Sequence, residues 1–78
     1  MVKVTDYGHW MQVTHVSCGG RYHRFTAHNT TGDWRVYHES FDKFCENHES
    51  HAVAHYALDK ADAEEYMQDP LKYQGYHK

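Results

Sequence analysis

The sequence predicts a small α+β domain: a three-stranded antiparallel meander, a candidate fourth strand, and two helices on one face, in the order βββαβα. Three observations carry this reading. Residues 9–17, 21–28 and 34–39 alternate with period two, the repeat of a half-buried strand. Short Gly-containing segments separate these runs. Twice further along, a polar capping residue precedes apolar side chains at helical spacing.

In the first strand Met11, Val13 and His15 share one side, while Trp10, Gln12, Thr14 and Val16 share the other. Cys18-Gly19-Gly20 then turns the chain, because glycine reaches positive φ without a Cβ clash. The second run sends His23, Phe25 and Ala27 inward and Tyr22, Arg24, Thr26 and His28 outward. Residues 29–33 form the next turn. The third strand points Trp34, Val36 and His38 inward, leaving Arg35 and Tyr37 outward. Connections this short make neighbouring strands antiparallel.

Ser40 can accept a free backbone N–H through its hydroxyl, which predicts a helix over 41–47. Phe41, Phe44 and Cys45 would share its buried face. Residues 51–58 support two readings, a fourth strand or the middle of one helix running from 40 to 68. The strand is preferred, because Asn47, His48 and Ser50 interrupt the helical pattern and Asp59 offers a fresh cap. The second helix, 60–68, turns Ala63, Tyr66 and Met67 inward and stops before Pro70. Asp62 near its start suits the helix dipole. The tail, 71–78, is read as loosely packed.

Seventy-eight residues make one domain. A chain near this size buries about 60% of its unfolded surface, enough for a thin core and not for a deep substrate cavity. No run of apolar residues is long enough to span a bilayer, and residues 1–6 lack the basic start and apolar stretch of a secretory leader. The two cysteines, Cys18 and Cys45, are read as reduced thiols. A cytoplasmic protein with no membrane partner is the expectation.

Charge is unevenly placed within a net of −3. Residues 1–39 hold four cations (Lys3, Arg21, Arg24, Arg35) against three acids. Residues 40–78 hold four lysines against eight acids. Two chemically distinct surfaces follow, on a protein far from the polycationic character of a nucleic-acid sponge. Nine histidines would swing the formal charge from −3 to +6 if all protonated, which could serve a pH-switched function, although histidines that simply replace other polar surface residues are the preferred reading.

The strongest candidate site is the outward face of the meander, which would show Trp10, Tyr22, Arg24, His28, Arg35 and Tyr37. Aromatics and arginines dominate the energetics of protein interfaces. The same mixture stacks bases and holds phosphates in single-stranded nucleic-acid binders, yet so few cations neutralise few phosphates. Cross-strand Tyr–Arg pairs also stabilise a two-sided sheet without any partner. A register slip of one residue would invert the whole assignment.

A second constellation is Cys45, His48, His51 and His55, to which Cys18 could add a sulfur. Thiolate and imidazole are zinc ligands. The spacing fits no standard zinc motif, and nine histidines generate such spacings by chance, so no metal or cofactor is assigned. The chain contains no Gly-rich phosphate loop, H-E-x-x-H or G-x-S-x-G. Asp59, Asp62, Glu64, Glu65 and Asp69 could present carboxylates to a basic partner, although a solvated helix face explains them equally well.

These features suit a non-enzymatic binding protein that inhibits or modulates a protein or nucleoprotein target, as accessory proteins of phages and mobile elements do in blocking host or defence enzymes. The alternative is a small RNA or single-stranded DNA binder using the same face. A homodimer is compatible with either.

Overall fold

The computed structural model describes residues 3–16 and 19–69, with the backbone alone at 51 and 52. Five strands precede one helix: β1 (Thr5–Asp6), β2 (Trp10–Val16), β3 (Tyr22–Thr30), β4 (Asp33–Phe41), β5 (Glu49–Ala57) and α1 (Lys60–Gln68). The strands lie in sequence order and every neighbouring pair is antiparallel. The α+β class and the antiparallel pairing are as expected, but the meander has five strands where three and a candidate fourth were expected, and residues 51–58 fall largely within the fifth.

Register decides which side chains meet. Met11, Ala27, Val36 and His55 lie opposite one another across four strands, as do Val13, Phe25 and His38 across three. These point toward α1, which lays Ala63, Tyr66 and Met67 over them. Met11, Phe25, Val36 and Met67 are wholly enclosed. Each such side chain contributes about 1.5–3 kcal/mol relative to exposure. Phe25 stacks on His38 at 4.6 Å and meets Tyr66 edge-on at 5.9 Å.

Toward one end the covered face turns polar. His15, His23 and Ser40 lie opposite one another there, and Arg21 donates from Nε to Ser40 Oγ at 3.2 Å. His15 Nε2 donates to the Met67 carbonyl at 2.7 Å, tying β2 to the end of α1. At the helix start, Asp59 accepts from the Asp62 N–H and Asp62 accepts from the Leu58 N–H, both at 2.9 Å, a reciprocal cap. Lys60 Nζ also reaches Asp6 Oδ2 at 2.9 Å.

The expected helix over 41–47 does not form, and the domain has one helix among its described residues rather than two. Phe41 ends β4 and Ser40 stays inside it, buried. Asp42, two residues later, captures the local donors instead. Its Oδ1 accepts from the Phe44 and Glu46 N–H groups and its Oδ2 from Asn47 Nδ2, all at 2.9 Å. Cys45 and Asn47 adopt φ of 60° and 51°, which no right-handed helix permits. Phe44 is consequently 70% exposed, and Cys45 is exposed rather than a core residue.

The β3–β4 hairpin closes on Thr30 and Asp33 with two residues between, Thr31 and Gly32, at φ of 48° and 92°. Two central residues with positive φ mark the type I′ turn, whose twist matches that of the strands. Ser17, Cys18, Pro70 and the tail 71–78 lie outside the described residues.

Candidate functional site

Because side chains alternate along a strand, the register that buries Met11, Phe25 and Val36 sends their neighbours to the opposite face. No described helix or strand packs there. Trp10, His28, Arg35 and Tyr56 stand opposite one another across β2, β3, β4 and β5, forming one row at one end of the face. Tyr7 extends the row from the loop before β2, stacking on Trp10 at 4.1 Å and 14°. Trp10 lies 6.4 Å from His28, and His28 meets Tyr37 edge-on at 5.9 Å. The Arg35 guanidinium carbon sits 5.9 Å from the centroid of the Tyr56 ring, which is 68% exposed.

Thr26 and Tyr37 form a central row with Gln12 and Val53. The far end is aromatic again. Tyr22 stacks on Phe41 at 5.9 Å, Phe41 on His48 at 6.1 Å, and the Arg24 guanidinium lies 5.2 Å over Phe41. Arg24 is also ion-paired with Glu39, directly opposite it, and the other Glu39 oxygen lies 3.2 Å from His48 Nε2.

All six residues expected on this face, Trp10, Tyr22, Arg24, His28, Arg35 and Tyr37, are on it, divided between its two ends and centre. Tyr7, Phe41 and Tyr56 join them unforeseen. Tyr7 precedes the alternating run, and Phe41 belongs to the segment 41–47 whose expected helix does not form. Tyr56 lay in the segment with two readings.

The candidate metal ligands do not converge. Cys45 is in the exposed loop, and His48 is on the outer face beside Glu39. His55 is on the opposite side, stacked on Tyr66 at 4.5 Å and 3.4 Å from Asp62 Oδ2. The His51 side chain lies outside the described residues. Among those described, no group of three or more His, Cys, Asp or Glu side chains is placed to hold a metal ion.

The acidic series on and around α1 is partly consumed by the fold, since Asp59 and Asp62 cap the helix. Two other carboxylates are held below the usual aspartate range. Asp6 is held there by Lys60 and by the Gly8 N–H. Asp42 is held there chiefly by the Glu46 N–H, aided by Asn47, Phe44 and the Arg21 charge.

No described helix is long and apolar enough to cross a membrane. No protein-family model, curated protein or solved structure matches the chain, so the functional reading rests on its own side chains.

Proposed function

We propose that this chain is a non-enzymatic binding protein that seats a protein partner on the outer face of its sheet and thereby inhibits or modulates it. One observation carries the reading: the row Tyr7, Trp10, His28, Arg35 and Tyr56 crosses a face that no described element covers. Rigid aromatics beside a guanidinium are the side chains whose truncation costs interfaces most.

The test compares partner retention by the wild type, by Trp10→Ala/Tyr37→Ala, and by Glu64→Ala on the helix side, with and without nuclease. The double variant should lose at least about tenfold in retention while keeping its circular dichroism spectrum. Equal retention by the double variant would place the contact elsewhere. The stacked Tyr7–Trp10 pair also favours a second reading, RNA or single-stranded DNA on the same face. Loss of the captured material on nuclease treatment would select it.

A further inference from the structure

The outer face holds two arginines in contrasting states. Arg24 stands opposite Glu39 and is ion-paired with it, as directly opposed charges in a sheet should be. Arg35 lies two rows away. Its cross-strand neighbours are His28 and Tyr56, and neither brings a negative charge. Arg35 Nε is buried with no hydrogen-bond acceptor among the described residues. A buried donor left without an acceptor is costly, and a charged one more so. Within one sheet, then, Arg24 shows what satisfies a guanidinium at such a position, and Arg35 lacks it.

We propose that Arg35 is the seat for a carboxylate supplied by the partner, an aspartate or glutamate side chain, flanked by the exposed rings of Tyr56 and Tyr37. This rests on the reading of the outer face as the partner-binding surface. A planar guanidinium takes a carboxylate in a two-point fork, and Arg35 would complete with a foreign acid the pairing that Arg24 makes internally. The surroundings favour an isolated carboxylate over a phosphate chain. Strands β2 to β5 contain no lysine, and Arg24 is already neutralised by Glu39. A phosphate chain needs a succession of cations, and this face offers one unpaired guanidinium.

The test follows the Nε–H signals of Arg35 and Arg24 in isotope-labelled full-length protein by NMR. The probes are N-acetyl-glutamate amide, N-acetyl-glutamine amide, inorganic phosphate and an oligouridylate. N-acetyl-glutamate amide should shift the Arg35 signal saturably and leave Arg24 in place. The glutamine probe should shift neither. Arg35→Gln should abolish the accompanying Tyr56 shifts, whereas Arg24→Gln should retain them. Equal movement of both arginines, or of neither, overturns the proposal. So does saturation by phosphate or oligouridylate at lower concentration than by the glutamate probe.

Partner retention by Arg35→Gln separates this idea from the broader one. Loss of at least about tenfold supports the seat. Wild-type retention by Arg35→Gln, with loss in Trp10→Ala/Tyr37→Ala, overturns the seat and leaves the face standing. Retention by both overturns the face itself.

Discussion

His23 Nδ1 and His38 Nε2 meet at 2.9 Å on the helix-covered side of the sheet, diagonal to one another across β3 and β4. One nitrogen must donate and the other accept, so the facing atoms hold a single proton between them. His15 stands opposite His23, Arg21 bonds to nearby Ser40, and Phe25 covers His38. His38→Leu removes this partner of His23 on the covered side of the sheet and should lower stability to urea by about 1–3 kcal/mol. His38→Gln, which keeps a donor and an acceptor, should lose less. Equal losses in the two variants would show that packing at position 38, and not the shared proton, sets the cost.

Thr31 carries the least favourable backbone of the β3–β4 turn, with a β-branched side chain at φ of 48°. Asparagine tolerates that region, and Asn-Gly is the preferred pair for a type I′ turn. Thr31→Asn should raise stability by about 1 kcal/mol, read as a higher urea midpoint at unchanged slope. A lower midpoint would mean that Thr31 makes a contact the turn geometry does not require.

Met67 and Phe44 separate the helix that forms from the one that does not. Met67 is fully buried, and its replacement by alanine should cost about 2–5 kcal/mol. Phe44 is mostly exposed, and Phe44→Ala should stay within about 0.5 kcal/mol of wild type. A large loss at Phe44 would restore the buried face expected for 41–47.

Asp42 organises the β4–β5 connection as an anion. Its carboxyl is held below the usual aspartate range, chiefly by the Glu46 N–H. A depressed carboxyl stabilises the fold above its unfolded pKa and loses that contribution as pH falls through the lower folded value. Hydrogen exchange at the Phe44 and Glu46 amides should therefore gain protection from Asp42 near neutrality and lose it in strong acid. Asp42→Ala should abolish the protection, and Asp42→Asn, which keeps Oδ1 as an acceptor, should preserve part of it. Protection unaltered in Asp42→Ala would show that the backbone turn holds these amides by itself.

The side-chain orientations of the central strands were legible because each strand buries one face. Met11/Val13, Phe25/Ala27 and Trp34/Val36 admit a single inward set, and the outward set follows. Asp59 was legible as a cap for the same local reason. Ser40 misled because two acceptors stand two residues apart, and pairing with His23 and Glu49 on the neighbouring strands, with Arg21 on its hydroxyl, keeps Ser40 in β4 while Asp42 closes the loop. β1 left no signal, since two residues carry no period. The contrast between Arg24 and Arg35 was hidden for another reason. It depends on which residue of the neighbouring strand stands opposite each, and alternation within one strand says nothing about that.

The helix α1 is the last described element, and it closes the core over all four long strands. Strand pairing in a sequential meander is local and can proceed as each hairpin is completed. Closure cannot. A growing chain would carry a formed sheet with Met11, Phe25 and Val36 bare until the residues of α1 arrive, a window in which intermolecular association competes with folding. A chain ending at Leu58 should accordingly bind a hydrophobic dye and aggregate where the full chain does neither. A soluble, dye-silent product would show that the sheet protects its apolar side without the helix.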